Sequence, residues 1–249
     1  MNKQNKHTKP DIRQSLQAIV LPALKEMFPY FNLQTICARL KEAEIEVSSV
    51  TLKTYLSQFM AEDLIFDAGR GWYSRIAEPF ALDTAPVKKL ITKIKKTFPL
   101  LDFSCWSTEQ INPYTQHVLN RFVSFVYADL ETLPAIAEVL QGHGYRVLVD
   151  PGKKDTFHGL SSGEHQIVLR KIIQKQPQAT KHAAPIEKIL VDLWYEAPKL
   201  NLMDQAEVQI VVENIVEAGR INMAEMLSYA GERRQDFSWF KTIYQLRKT

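Results

Sequence analysis

The chain has 249 residues, 45% of them hydrophobic, and a formal net charge of +3, so it has enough apolar content for one or two packed cores. Its two cysteines form no metal-ligand spacing, the first ten residues lack the apolar core of a signal peptide, and no apolar run approaches the length of a membrane span. These features argue against a secreted, membrane or structural-zinc protein. We expect a soluble cytoplasmic protein without a metal or cofactor.

Positive charge is concentrated in the first hundred residues, which hold 15 Lys+Arg and 10 Asp+Glu, whereas residues 101–249 hold 16 and 18. Residues 1–10 predict a flexible basic arm, in which Lys3, Lys6 and Lys9 are suited to phosphate contact without sequence preference. A weakly basic module beside a mildly acidic one favours a regulator that binds one operator over a protein that coats DNA.

Residues 11–76 predict a winged helix-turn-helix domain. Apolar residues recur at helical spacing in two stretches, and a Ser48-Ser49 pair can cap the second helix. These apolar residues are Leu33, Ile36, Cys37 and Leu40 in the first stretch, and Val50, Leu52, Leu56, Phe59 and Met60 in the second. A strand at 64–66, a turn at 67–71 and a strand at 72–74 then predict a glycine-tipped hairpin, the wing.

The second predicted helix leaves mostly short, hydrogen-bonding side chains on its outward face. They are Ser49, Thr51, Lys53, Thr54, Ser57 and Gln58. Such side chains can reach base edges or phosphates, and Arg70 at the hairpin tip would meet the sugar-phosphate backbone. We therefore predict binding to double-stranded operator DNA. The alternative is a protein-docking module, a role that winged helices also serve.

Two prolines and an Asp-Thr pair predict a linker over residues 77–86, followed by a second domain over 87–249. A lysine cluster lies at the start of this domain and consists of Lys88, Lys89, Lys93, Lys95 and Lys96. These lysines could contact phosphates. They could equally form the solvated side of a helix that buries Val87, Leu90, Ile91 and Ile94.

The second domain alternates strands with a helix and then becomes helical. Strands are predicted at 103–106, 121–127, 145–150 and 165–173, with a helix at 133–141 that Gly142 ends. Helices are predicted at 186–194, 205–218, 223–230 with Gly231 as the stop, and 237–246. The fold class is therefore α+β: a winged helix-turn-helix, a small mixed α/β sheet and a helical tail. Whether sheet and tail form one domain or two is left open.

This arrangement resembles the AbiEi-like antitoxins of the abortive-infection, type IV toxin–antitoxin group. The resemblance rests on the wing-bearing first domain, on Cys105-Trp106-Ser107 followed by residues 111–116, and on PIEKILVDLWYE at 185–196. The last stretch is similar to the family's Pro-Glu-Lys-Thr-Leu-Val-Asp segment, with Ile189 in place of threonine. The resemblance implies an antitoxin that represses its own operon, and a second domain, nucleotidyltransferase-like in fold, that counters a co-encoded nucleotidyltransferase-like toxin or acts on its target.

Three carboxylates raise an enzymatic alternative. Asp129, Glu131 and Asp150 follow predicted strands and could surround a divalent metal, as in nucleotidyltransferases. However, residues 106–108 lack the Gly-Ser pair that holds a triphosphate in those folds, and acids before a helix start near Thr132 are favoured by its dipole. We therefore predict that Asp129 and Glu131 serve the helix start and that Asp150 ends its strand. A nuclease site with Asp150 and Glu164 is disfavoured because Gln166 stands where a lysine is needed.

Other catalytic patterns are weak. The six histidines show no ligand pairing, and Ser161-Ser162-Gly163 lacks a nucleophile elbow. Aromatic residues at 194, 195, 239, 240 and 244 have helical spacing, which is typical of a core. We predict a DNA-binding transcriptional regulator, an antitoxin without catalytic or metal-binding residues. The alternative is a metal-dependent nucleotidyltransferase-like enzyme that uses the winged helix for targeting.

Overall fold

The computed structural model describes residues 12–22, 29–119, 121–152 and 166–237. The fold is α+β with two separate β-sheets. The described chain forms two compact units: the first contains residues up to Pro79 together with Asn222–Ala224, and the second contains Phe80–Ile221 and Glu225–Phe237. The division at Pro79 lies within the predicted linker. No helix in the described ranges combines the length and apolar character that a bilayer crossing requires.

The first unit consists of short helices and a small sheet. Its elements are α1 (Ile12–Ser15), continued by a π-helical turn (Leu16–Val20), then β1 (Tyr30–Asn32), α2 (Leu33–Glu42), α3 (Ser49–Ala61), β2 (Phe66–Asp67) and β3 (Trp72–Ser74). The strands form an antiparallel sheet in the order β1-β3-β2. The hairpin of β2 and β3 was predicted, whereas β1 was missed because three residues directly before a helix carry no alternating pattern.

Both predicted helices of this unit are confirmed, and each begins at a side-chain cap. Asn32 Oδ1 accepts the Thr35 N–H at 2.9 Å, and Ser48 Oγ accepts the Thr51 N–H at 3.1 Å. The core joins α2, α3, the π-helical turn and the hairpin through buried aliphatic and aromatic side chains. It includes Leu16, Ile36, Leu40, Leu52, Leu56, Phe59 and Ile65.

Two residues assigned to these apolar faces were placed wrongly. Cys37 is exposed, and Val50 is 74% exposed. Val50 precedes the buried Leu52 by two residues, and because each helical residue turns the chain by about 100°, two residues reach the opposite side of the helix. Hydrophobicity alone therefore put Val50 on the wrong face.

The second unit is built on a four-stranded mixed sheet. The elements up to its last strand are α4 (Ala85–Thr97), β4 (Phe103–Ser107), β5 (Val123–Ala128), α5 (Leu133–Gly142), β6 (Arg146–Val149) and β7 (Gln166–Lys171). The strand order is β4-β5-β7-β6; β5 pairs antiparallel with β4 and parallel with β7, which pairs parallel with β6. All four predicted strands and the helix between them are confirmed within a few residues.

Helices α4 and α5 pack on one face of this sheet. Their buried side chains meet those of alternate strand residues, including the buried Cys105. This core includes Val87, Leu90, Ile94, Phe103, Val126, Ile136, Leu140, Ile167 and Leu169. The opposite side chains of β5 and β7 include Tyr127 and Arg170, which contact the helical tail.

The helical tail contains α6 (Ile186–Lys199), α7 (Gln205–Ala218) and α8 (Met223–Glu232). The predicted stop at Gly142 is confirmed, since Gly142 is the last residue of α5, whereas the predicted stop at Gly231 was wrong, because α8 continues through Gly231 to Glu232. The residue with φ of +82° after α5 is Gly144, and His143 is the C-cap. Most of the helix predicted at 237–246 lies outside the described residues.

Candidate functional site

The outward face of α3 is exposed over most of its length. Ser49, Lys53, Thr54, Ser57 and Gln58 are exposed, whereas Thr51 is half-buried. The Thr51 hydroxyl lies 2.8 Å from Ser48 Oγ, so it completes the helix cap, and Thr54 Oγ1 donates to the Val50 carbonyl at 3.1 Å. Five of the six predicted DNA-binding side chains on this helix are therefore available to a ligand, and Thr51 is available only in part.

The charge on this face is positive. Lys53 is the charged residue of α3, and the first acid after it, Glu62, accepts a hydrogen bond from Arg13 Nη2 at 2.5 Å. Both side chains of this ion pair are about two-fifths exposed, at 41% and 42%. Arg13 thus offsets the negative charge nearest to the end of α3, which lowers the repulsion that a phosphate would meet there.

The hairpin places Arg70 at an exposed tip. Gly69 and Gly71 on either side of it have φ angles of +96° and +76°, a left-handed conformation that glycine adopts without strain. The Trp72 N–H donates to the Gly69 carbonyl at 2.9 Å and closes the turn. On its other side the turn lies against Asn222–Ala224 of the same unit, where the Ala224 N–H is 3.4 Å from the Ala68 carbonyl.

The lysines of residues 1–10 and the lysine cluster after the linker are placed differently by the structure. Lys3, Lys6 and Lys9 lie outside the described residues. Four lysines of the cluster after the linker are exposed on α4, opposite its buried residues, and Lys93 Nζ lies 5.5 Å from the centroid of the Tyr145 ring. This placement fits the solvated helix side that the sequence left open for these lysines.

The three candidate carboxylates do not form one site. Asp129 and Glu131 are exposed beside a 3₁₀ turn (Leu130–Thr132), and the turn is held by the Asp129 carbonyl, which accepts from Thr132 N and Oγ1, while the Asp129 side chain makes no cap hydrogen bond. Both acids lie at the start of this helical segment, where they were predicted: Asp129 is the N-cap residue of the turn and Glu131 lies within its first turn. Asp150 follows β6 and accepts from Arg170 Nη1 at 2.9 Å. Among the described residues, no group of three or more His, Cys, Asp or Glu side chains is arranged to hold a metal ion.

Of the remaining aromatic and histidine candidates that are described, Trp194, Tyr195 and His182 pack against neighbours, whereas His117 and His143 are exposed. Trp194 lies 5.3 Å from the Phe237 ring, and Tyr195 lies 4.2 Å below the Arg233 guanidinium. His182 stacks on Phe103 at 4.2 Å, and its Nδ1 is 3.0 Å from the Phe103 carbonyl. Trp239, Phe240, Tyr244, the serine pair at 161–162 and the histidines at 7, 158 and 165 lie outside the described residues.

The second unit contains a buried charge cluster that the sequence reasoning missed. We define it as Lys188, Asp192 and Glu196 of α6, Arg170 of β7, Arg233 after α8, and the tyrosines Tyr127 and Tyr229. The three α6 side chains are 0% exposed. Their spacing of four residues along a helix whose other residues are mostly apolar is the signal that could have revealed them, because it puts three charges on one side.

Hydrogen bonds satisfy each charge of this cluster. Arg170 makes a bidentate pair with Glu196 at 3.0 and 2.5 Å, and Arg233 bonds to both Glu196 and Asp192. Lys188 Nζ donates to Asp192 Oδ2 at 2.6 Å and to the Tyr229 hydroxyl at 3.2 Å. It also lies 3.4 Å from the centroid of the Tyr127 ring.

Burial shifts the pKa values within the cluster. It lowers the pKa of Lys188 to about 8, because desolvation disfavours the ammonium ion more than Asp192 stabilises it. It raises the pKa of Tyr127 well above its usual value, with the charge of Asp192 adding to the effect. The hydrogen bonds around Lys188 are those of an ammonium ion, so the cluster at neutral pH is a set of ion pairs.

Residues 51–248 match the model of DUF6577, a family of unknown function. The chain belongs to this family. The match begins inside α3 and includes the hairpin, the four-stranded sheet and the buried charge cluster. A comparison with curated proteins found no match.

Proposed function

We propose that this protein is a transcriptional regulator that binds double-stranded operator DNA through α3 and the hairpin of its first unit. The observation that carries the proposal is the outward face of α3, where exposed hydroxyl, amide and ammonium groups lie on one side of a helix whose other side is buried. A helix with such a face fits the major groove, where base edges offer hydrogen-bond donors and acceptors.

The first unit has the order of elements that a winged helix-turn-helix requires: a helix, a second helix and then a hairpin in a three-stranded sheet. In that arrangement α3 is the recognition helix and the hairpin is the wing. The exposed Arg70 would then contact the backbone beside the groove, as would the basic arm at residues 1–10. The pairing of Glu62 with Arg13 supports the same assignment, because it reduces the negative potential at the end of α3.

We further propose that the regulator is an antitoxin that represses its own operon, as its resemblance to AbiEi-like antitoxins implies. In this proposal the second unit has no catalytic role and counters a co-encoded nucleotidyltransferase-like toxin or the target of that toxin. Two observations support a scaffold role. Asp150 accepts a hydrogen bond from Arg170, whose positive charge would repel a divalent cation at that carboxylate. The 185–196 segment, which carries part of the resemblance, contributes the buried Lys188, Asp192 and Glu196 to ion pairs inside the unit.

Selection of duplexes from a random pool by the full chain tests DNA binding. We expect enrichment of one sequence family that binds tightly in gel-shift titrations at physiological salt. The Lys95→Ala and Gln141→Ala double variant changes one lysine and one glutamine at exposed positions of α4 and α5, and it should enrich the same DNA sequences as the wild type. Failure to enrich any sequence would remove the proposed DNA-binding function.

The antitoxin role needs a separate test in cells. Expression of the gene adjacent to this one should stop growth if that gene encodes the toxin, and co-expression of this chain should restore it. A reporter behind the shared promoter should fall when this chain is present, and that repression should be lost with the Lys53→Ala and Gln58→Ala double variant. Growth arrest without rescue would contradict the antitoxin proposal and leave the DNA-binding proposal intact.

A further inference from the structure

Val50 is an exposed aliphatic side chain in the middle of a polar surface. It is the second residue of α3 and is 74% exposed, whereas Leu52 and Leu56 on the opposite side are each 1% exposed. Its neighbours one helical turn along are Lys53 and Thr54, and two turns along is Ser57, all exposed. The outward face of α3 therefore carries a methyl-bearing side chain in its first turn, among hydrogen-bonding groups.

The backbone around Val50 is fixed. Thr54 Oγ1 donates to the Val50 carbonyl at 3.1 Å, and the cap at Ser48 anchors the first turn through the Thr51 N–H. A β-branched residue in a helix is also restricted at χ1, so the two methyl groups of Val50 point in one preferred direction. They lose little conformational freedom on meeting a ligand, in contrast to a long, flexible side chain.

We propose that Val50 reads the C5-methyl group of a thymine in the bound operator. This inference rests on the proposed DNA-binding function and names the base feature that one residue of the same site recognises. Residues near the start of a recognition helix contact base edges, and among the four bases only thymine presents a methyl group in the major groove. An aliphatic side chain contacts that methyl group favourably and offers no hydrogen bond to the other bases.

The polar neighbours of Val50 would bind the positions beside the thymine and so fix where in the site the thymine lies. Lys53, one turn further, supplies a cation for a phosphate or a guanine edge, and Thr54 and Ser57 supply hydroxyl groups. Val50 would then set a thymine preference at one position of each site, while the hydroxyl and ammonium groups determine the flanking positions. Removing the thymine methyl group should weaken binding at that position alone.

The test uses a duplex that the full chain has enriched. Each thymine is replaced in turn by uracil, which keeps the base pair and removes the methyl group. We expect one thymine, or one in each half of a symmetric site, at which uracil weakens wild-type binding about fourfold, the change expected for loss of one buried methyl-sized group. Val50→Ala should bind thymine and uracil duplexes with equal affinity at that position.

Val118→Ala is the matched control, because Val118 is a valine of the second unit that is 76% exposed. This variant should keep the full uracil effect. The inference is overturned if no thymine responds to uracil replacement, or if Val50→Ala keeps the same uracil effect as the wild type. Both results leave the proposed function standing, since the duplex is still bound. A failure to enrich any duplex removes the proposed function and this inference together.

Discussion

The two units use charged residues in opposite ways. In the first unit the core is apolar, and charged groups such as Lys53 and Arg70 stand in solvent. In the second unit Lys188, Asp192 and Glu196 are fully buried against Arg170 and Arg233. An exposed charge stays hydrated and can still bind a ligand, whereas a buried charge has lost its hydration and depends on its ion-pair partner in the folded state.

Under the proposed function, this difference separates the residues that bind DNA from the residues that stabilise the fold. Loss of an exposed cation in the first unit should change ligand binding and leave stability nearly unaltered, because the solvent screens it. Loss of a buried partner in the second unit should change stability strongly, because the remaining charge has no hydration and no counterion. Substitutions in the two units can therefore break or sharpen the comparison.

The largest effect is expected for Asp192→Ala. The substitution leaves both Lys188 and Arg233 without a shared carboxylate in a buried environment, and such losses cost about 3–5 kcal/mol. Urea denaturation followed by circular dichroism measures the change. Asp102→Ala, at an exposed aspartate of the same unit, is the control and should stay within about 0.5 kcal/mol of the wild type. A destabilisation below about 1 kcal/mol at Asp192 would mean that the cluster does not stabilise the unit.

The Lys53→Ala and Gln58→Ala double variant should weaken specific DNA binding by a few kcal/mol at most. Each good base contact contributes about 1–3 kcal/mol, and both side chains are exposed. Gel-shift titration on the enriched duplex gives the change, and the double alanine variant of Lys95 and Gln141 serves as the control. Unchanged affinity of the double variant for the duplex would contradict the assignment of α3 as the recognition helix. A fall in the melting temperature of the double variant would instead show that these residues stabilise the fold.

Stability should rise with pH above about 8 because of Lys188. The folded chain loses this proton at a pKa of about 8, whereas the unfolded chain keeps it up to the ordinary lysine value of 10.5. Between these values the unfolded state binds more protons, so the free energy of unfolding increases, by about 1.4 kcal/mol per pH unit at most. Denaturation curves at about pH 7.5, 8.5 and 9.5 measure this slope.

The control for this prediction is Lys188→Met, which keeps the length of the side chain and removes the titrating group. Its slope between about pH 8 and pH 9.5 should be smaller than that of the wild type. Equal slopes would assign the pH dependence to another group. Above about pH 10 the raised pKa of Tyr127 acts in the other direction, because the folded state then holds the extra proton.

A smaller effect is expected from Arg70 and from the three lysines of residues 1–10. Neutralising Arg70 together with Lys3, Lys6 and Lys9 should flatten the dependence of log K on log salt by about 0.9 for each phosphate that the protein no longer neutralises. Binding isotherms over a series of salt concentrations give the slope, and sequence preference should stay the same. Arg121→Ala, at an exposed arginine of the second unit, should leave the slope unaltered. An identical slope in the quadruple variant means that these residues point away from DNA.

Asp129→Asn should have the smallest effect. Its carboxylate is exposed and makes no cap hydrogen bond, while the main chain holds the turn that follows. Operator binding, growth rescue and stability should all match the wild type within error. Metal-dependent incorporation of label from a nucleoside triphosphate, abolished by this substitution, would favour the nucleotidyltransferase-like alternative for the second unit.

The sequence alone determined most of the local structure. Periodicity located α2, α3 and all four strands of the second unit, since a buried strand or an amphipathic helix repeats its apolar residues at a fixed interval. Capping residues located the start of α3 at Ser48. The end of α8 was located less closely, because this helix continues through Gly231 to Glu232 and a glycine near a helix end does not by itself fix the last helical residue.

Only the tertiary structure decided which charges are buried. Lys188, Asp192 and Glu196 carry the same side chains that cover a solvated helix. Their four-residue spacing among apolar residues puts them on one face of α6, but it does not say whether that face is buried. Their burial depends on Arg170 and Tyr127 from the sheet and on Tyr229 and Arg233 from the chain's far end. Val50 is a different case, because its angular distance from Leu52 on the helix, which the sequence already gives, places it in solvent although its hydrophobicity favours a core. Partners distant in sequence therefore determine which charges are buried, and burial determines whether a charge is available to a ligand or only stabilises the fold.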